Sequence, residues 1–293
     1  MLQKNKTLIY CLIVMLLWGS LFPTVKLGMS AFGVETTGDI LFFAGVRFVI
    51  CGAVISLFAL LRDKPSYKDA GKSMFPILAA GLFSIILHYA CTYSALTLTD
   101  SSKTAILKQV GILFYVCFSA LFFKDDKLTR HKLIGVLLGF VGIIVINTDI
   151  DGISFNVGDA LIITASFCSV ISSIISKKVS AKVNPLTVTG ISQFFGGAVL
   201  LLVGRLMGGS MQISADPNAL IMVYICLASI VSYSIWFWVL KKGELSRMFI
   251  IKFAEPLFAC LFGAVLLGEF EWQYLLSFVF IAGGIYVSNK GKG

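Results

Sequence analysis

Residues 246–269 read SRMFIIKFAEPLFACLFGAVLLGE, apolar enough to cross a bilayer yet carrying Lys252 and Glu255 near the middle. Residues 102–125, 144 positions earlier, read SKTAILKQVGILFYVCFSALFFKD. Seven of the 24 aligned positions are identical: Ser102/Ser246, Ile106/Ile250, Lys108/Lys252, Leu113/Leu257, Phe114/Phe258, Phe118/Phe262 and Ala120/Ala264. Lys103/Arg247 and Asp125/Glu269 keep their charge. Chance supplies a few matches between apolar stretches, but not a matched lysine inside the membrane. The chain therefore reads as an internal repeat, 1–149 and 150–293.

Working outward from this pair, ten stretches are long and apolar enough to span the hydrocarbon core, which takes about 20 residues of helix. They lie near 7–29, 39–61, 74–96, 103–123, 133–147, 158–177, 186–206, 219–240, 247–267 and 272–289. Helices are required, because lipid satisfies no backbone group and the alternation of barrel strands is missing. The fifth stretch is the shortest, and Gly135, Gly139 and Gly142 on it point to close helix packing. The composition agrees. The 293 residues are 58% hydrophobic and 13% charged, with mean hydropathy +0.93. Soluble domains carry about 25% charged residues, so a cytosolic enzyme, a disulfide-stapled secreted domain and a disordered chain are excluded.

Five spans per copy is an odd number, so the second copy enters the membrane upside down relative to the first. The basic residues give the orientation, since they crowd cytoplasmic loops. With the N-terminus inside, 18 of the 24 Lys and Arg fall on the cytoplasmic side, and only Lys103 and Arg205 outside. The expected fold is an all-α membrane protein of ten transmembrane helices, two inverted five-helix repeats, with both termini cytoplasmic. The net charge of +9 is accounted for by this bias, and nucleic acid is not needed to explain it. The first stretch is too long for a signal peptide and carries Trp18, Pro23 and Lys26 where a cleavage site would need small residues.

Other signals carry little chemistry. The seven cysteines sit one to a span without CxxC or metal-ligand spacing, and His88 and His131 make no ligand pair. Lys72-Ser73 lacks the first glycine of a phosphate loop, and no cofactor motif is found. Asp125-Asp126 is the only acidic pair on the inner side, too little for the metal and pyrophosphate chemistry of membrane-embedded enzymes. A non-transporting scaffold is disfavoured by the intramembrane charges and the inverted repeat.

The chain resembles the drug/metabolite transporter superfamily, and within it the EamA-type ten-helix transporters, over about residues 8–288. The matching residues are Trp18-Gly19 with Pro23 and Lys26, Arg47-Phe48, Ala254-Glu255-Pro256 through Leu267-Gly268-Glu269, and Gly283-Gly284. The copies depart from each other: Gly111-Ile112 stand opposite Glu255-Pro256, Lys124-Asp125 opposite Gly268-Glu269, and Ser169-Val170 near the place of Trp18-Gly19. The resemblance implies a multi-pass protein of the bacterial inner membrane. Its partners would be a small-molecule substrate and the lipid bilayer.

Ionisable residues at the centre of a span cost roughly 2.5–3.5 kcal/mol on insertion scales, so they face a cavity or a partner. Glu255 is the one deep carboxylate, followed by Pro256, which leaves a carbonyl unbonded. It reads as a proton-coupling or amine-binding group, or as the ion-pair partner of Lys252 on the same helical face. Lys108, expected in the outer half, and Lys252, in the inner half, read as two cationic stations on a cavity; Lys108 alternatively snorkels to the interface. Gln109 lies beside Lys108. Arg47 cannot hide by neutralisation and reads as a site residue or a cap on helix-end carbonyls. Gln193 stands at the corresponding place in the seventh span. His88, with Tyr89 and Tyr93, titrates near neutrality or packs neutral. Trp18, Tyr233 and Trp236 offer a flat face and a polar edge, and cavities of the resembled family are lined by such residues.

These features predict a secondary transporter of a small polar metabolite, an amino acid or related compound. It would export or exchange by alternating access, rocking spans 1–5 against 6–10 with proton coupling through Glu255. An importer or exchanger of anionic metabolites such as sugar phosphates is the alternative that the two lysines favour.

Overall fold

The computed structural model describes all residues except 1, 97, 99–100, 125, 147–155, 213–218, 243–244, 268–272 and 291–293. The described residues are helical or in turns, with no strand among them. The helices are α1 (Leu2–Ala31), α2 (Thr37–Arg62), α3 (Lys64–Lys72), α4 (Met74–Gly81), α5 (His88–Leu96), α6 (Ser101–Phe122), α7 (Arg130–Ile146), α8 (Val157–Val179), α9 (Pro185–Leu206), α10 (Ala219–Lys242), α11 (Leu245–Ile251), α12 (Ala254–Leu267) and α13 (Gln273–Lys290). A π-helical turn, Leu82–Leu87, joins α4 to α5.

Among the described residues, seven helical segments are long and apolar enough to cross a membrane: Lys6–Ala31, Thr37–Arg62, Met74–Thr92, Val157–Val179, Pro185–Leu206, Ala219–Lys241 and Met248–Leu266. Leu276–Ser288 is a shorter apolar helix, and α6 and α7 take up 103–122 and 133–146 of the fourth and fifth expected stretches. The chain is thus a helical membrane protein.

Packing divides the chain into two compact units that cut across the expected repeats. One holds residues 24–94 and 171–241, the other 1–23, 95–170 and 242–293, with boundaries inside α1 after Pro23 and inside α8 after Val170.

In the first of these units, antiparallel α2 and α9 pack backbone to backbone through glycine. A Cβ on Gly45 would lie 2.5 Å from Leu201 Cα, one on Gly197 2.5 Å from Val49 N, and one on Gly190 2.7 Å from Ser56 N. Small residues let helices approach where lipid supplies no hydrophobic drive between them. Both ends of the pair are clasped. At one end Thr36 and Asp39 form a capping box for α2, and the same Asp39 carboxylate accepts Ser210 N–H at 2.7 Å from the turn after α9. Gly208 makes that turn with φ +82°, a conformation that only glycine adopts without strain. At the other end Asn184 caps α9, its side-chain amide donates to Asp63 Oδ2 at 2.9 Å and its backbone N–H donates to Ser66 Oγ at 2.9 Å.

The second unit repeats the device with α7 and α13. A Cβ on Gly135 would meet Gly284 O at 2.7 Å, one on Gly142 would meet Ile281, and Ser277 Oγ donates to Gly142 O at 2.7 Å. The three glycines expected to mark close packing do so, with Gly139 against the Phe253 ring.

Candidate functional site

Each unit assembles its own cluster from the expected residues. On α2, Arg47 is only 5% exposed, and its Nε donates to Ser229 Oγ of α10 at 2.9 Å. Its guanidinium carbon lies 5.0 Å from the centre of the Phe48 ring. Phe48 in turn packs on Tyr89 and Tyr233, with ring centres 4.9 and 6.1 Å away, and His88 stands edge-on to Tyr89. The Tyr89 and Tyr233 hydroxyls are 3.4 Å apart. These tyrosines are separated by 144 residues, the offset of the repeat, so equivalent side chains of the two copies meet each other. Arg47 therefore bonds a side chain of another helix.

Trp236 is buried on α10. Gln193, on α9, is buried with neither amide atom hydrogen-bonded among the described residues. The side chain of Tyr93 lies outside the described residues. Cys51 and Cys226, one to a span in sequence, meet across α2 and α10: the Cys51 thiol donates to the Cys226 carbonyl at 3.6 Å.

The second cluster is built on a break. The ninth apolar stretch is one segment in sequence but two helices in structure, with α11 ending at Ile251 and α12 starting at Ala254. Pro256 has no N–H with which to continue the ladder, and the chain crosses the gap on tight turns: Lys252 N to Phe249 O, Phe253 N to Ile250 O and Glu255 N to Lys252 O, at 3.1, 3.2 and 2.9 Å. Lys252 and Glu255 thus do not share the face of one continuous helix, as the spacing implied; Lys252 lies in the interruption and Glu255 in the first turn of α12. The Lys252 ammonium sits 5.2 Å from the centre of the Trp18 ring and 5.3 Å from that of Phe249. Tyr115 stacks on Phe249 and donates its hydroxyl hydrogen to Ser169 O. Glu255 and Lys108 lie near enough to act on Lys252 electrostatically.

Gly19 explains how Trp18 arrives there. A Cβ at Gly19 would lie 2.9 Å from Ala259 N and 3.0 Å from Glu255 O, so only glycine lets α1 rest on the backbone of α12. On α6, Gln109 is buried, and the Lys108 carbonyl accepts Ser166 Oγ at 3.1 Å.

One polar centre escaped the sequence reading. Asp126, before α7, is fully buried and bonded to the Lys132 ammonium at 2.7 Å, and it accepts hydrogen bonds from the backbone and hydroxyl of Ser246 at the start of α11. Lys132, read as one of the cytoplasmic charges, is only 1% exposed. Burial opposes ionisation of Asp126, but the bonds from Lys132 and Ser246 and the lysine charge outweigh it and hold the carboxyl below its ordinary range. The identity Ser102/Ser246 was the available signal. The buried acid itself looked like any loop carboxylate.

A broken intramembrane helix carrying an acid and a base, with an aromatic-backed arginine elsewhere, is the constellation of a solute transporter. The chain matches the EamA-like transporter family over residues 5–148 and again over 156–290, and it belongs to that family. It is similar to an "Uncharacterized transporter" of Archaeoglobus fulgidus, 23% identical over 254 residues covering 86% of this chain and 87% of that one. It is also similar to the "Uncharacterized inner membrane transporter YedA" of Escherichia coli strain K12, 25% identical over 279 residues, 90% and 85% of the two chains. A solved structure described as "Crystal structure of protein" shares the fold, with TM-score 0.78 and 20% identity, covering 97% of this chain and 96% of the other.

Proposed function

We propose that the chain is a secondary active transporter that exports or exchanges a small polar metabolite, an amino acid or related compound, by alternating access coupled to protons. Family membership and the named relatives support membrane transport. The observation that carries the finer reading is the break between α11 and α12, which sets Lys252 and Glu255 at interrupted backbone inside an apolar segment. Unwound backbone at membrane depth is tolerated where it lines a cavity, and half-helix ends there hold substrate or coupling ions. Glu255 takes up and releases the proton; Lys252, backed by Trp18 and Phe249, answers the changing charge.

In this reading ten spans form two inverted repeats, 1–149 and 150–293, with both termini cytoplasmic, in the bacterial inner membrane. Substrate and lipid are the partners. A second reading, exchange of anionic metabolites such as sugar phosphates, draws support from Lys108 acting on Lys252, which puts two cations near one acid.

The test is solute-driven proton movement in proteoliposomes carrying a pH-sensitive dye. A gradient of amino acids is expected to move protons, and sugar phosphates to move few. Proton movement driven by sugar phosphates alone would favour the second reading, and silence across amino acids, nucleosides, sugar phosphates and quaternary amines would contradict both.

A further inference from the structure

The packing units are themselves symmetric. Thr24 and Ile171 begin the two segments of one unit, Ser94 and Lys241 end them, and each pair is 147 residues apart. Each unit therefore holds equivalent portions of both repeats. The seams inside the units join equivalent helices of the two copies. Shifted by 147 residues, α2 covers 184–209, which takes in α9. Phe42 meets Gly204, Gly45 meets Leu201, Gly52 meets Phe194 and Ser56 meets Gly190 along that one antiparallel seam. Exchanging the copies therefore carries the α2–α9 seam onto itself. In the other unit α7, shifted likewise, overlaps α13, and Gly135–Ser288 and Gly142–Ile281 lie on their common seam. Tyr89–Tyr233 maps onto itself.

In an inverted-repeat transporter the oppositely facing state is reached when the two copies trade conformations. A contact that maps onto itself, or onto another contact already present, survives that trade. The α2–α9 and α7–α13 interfaces and the tyrosine pair therefore belong to both states. The bonds that clasp them join the copies: Asp39 to Ser210, Asp63 to Asn184 and Asp126 to Ser246. We propose that the bodies which move during transport are these two packing units, each a composite of both repeats, and that the repeats themselves do not rock as blocks. This replaces the expected rocking of spans 1–5 against 6–10 and rests on the alternating-access reading above.

Spin-label distance distributions in lipid nanodiscs, at alkaline and at mildly acidic pH, test it. Three exposed pairs suffice in a chain whose seven native cysteines are alanine: Leu61→Cys with Leu206→Cys across α2–α9, Leu133→Cys with Leu276→Cys across α7–α13, and Leu61→Cys with Leu137→Cys within one repeat but in different units. If the cysteine-free chain fails to fold, a genetically encoded spin label at the same positions in the native chain serves instead. The first two pairs are expected to give single distances unmoved by pH, and the third to shift by several ångströms or split in two. The reverse pattern, a fixed third pair and moving first pair, would overturn the proposal in favour of rocking repeats. Three fixed distances would overturn instead the alternating-access reading beneath it.

Discussion

The two charged clusters solve the same problem, a cation inside an apolar chain, in opposite ways. Arg47 sits on an unbroken helix, nearly inaccessible, bonded to Ser229 and laid on Phe48. Lys252 sits where the helix is interrupted, half-buried, over one indole and one phenyl face and within reach of Glu255 and Lys108. A guanidinium does not shed its proton in a protein, so the Arg47 cluster is fixed in charge. A lysine and a glutamate can both change theirs. The fixed cluster belongs to the unit clamped by the α2–α9 glycine seam, and the variable one to the helix that breaks. Under the proposed reading, rigidity and proton exchange fall to different helices.

The largest expected effect breaks the rigid side. A leucine at Gly52 would drive its side chain into the backbone at Phe194, and Gly52→Leu should leave no monodisperse protein in detergent size-exclusion chromatography. Gly263→Leu on α12, where nothing lies within 4 Å, should elute as the wild type does. Equal behaviour of the two would remove the distinction between clamped and open helices.

Next in size is the buried pair that ties α7 to α11. Asp126→Asn leaves the Lys132 charge buried without its counter-ion and should cost about 3–5 kcal/mol, read as a fall in the thermal midpoint. The native carboxyl titrates below its ordinary range, so its stabilisation is complete above the unfolded value and is lost as pH falls through the native one. The midpoint of the native chain should therefore drop on acidification, and that of Asp126→Asn should drop less. A parallel pair of curves would show that Asp126 is not the group responsible.

Smaller still, Ser229→Ala removes a hydrogen bond to the Arg47 guanidinium and should cost about 1.5–3 kcal/mol. Trp18→Leu removes one aromatic face under Lys252, worth about 0.5–2 kcal/mol, yet it should slow transport more than Ser229→Ala does. Thermal midpoints set beside initial transport rates check the order; a reversed order would move the working site to Arg47.

Much of this was legible in the chain. The repeated lysine at 108 and 252, the Trp18-Gly19 pair and the Glu255-Pro256 pair name the residues around the break, and Gly135, Gly139 and Gly142 mark a helix contact. Each is readable because it is costly or exceptional in an apolar helix. The tyrosine pair was hidden because two aromatics at the repeat offset are unremarkable among 25 phenylalanines and 9 tyrosines. The break itself was hidden because Pro256 alone does not say whether a helix kinks or stops. The units were hidden because repeats are read along the chain, whereas the glycine seams join distant segments. Asp126 and Lys132 look like ordinary loop charges until Ser246 closes over them.

The central claim, that the interrupted helix carries the proton, meets its most direct test in solute-driven proton flux through proteoliposomes, wild type against Glu255→Gln. The variant removes the titratable group while keeping the size and hydrogen-bonding shape of the side chain. Glu255→Gln is expected to fold with an unchanged thermal midpoint, to retain solute counterflow and to lose proton movement together with the pH dependence of transport. Proton flux and pH dependence that match the wild type would contradict the account.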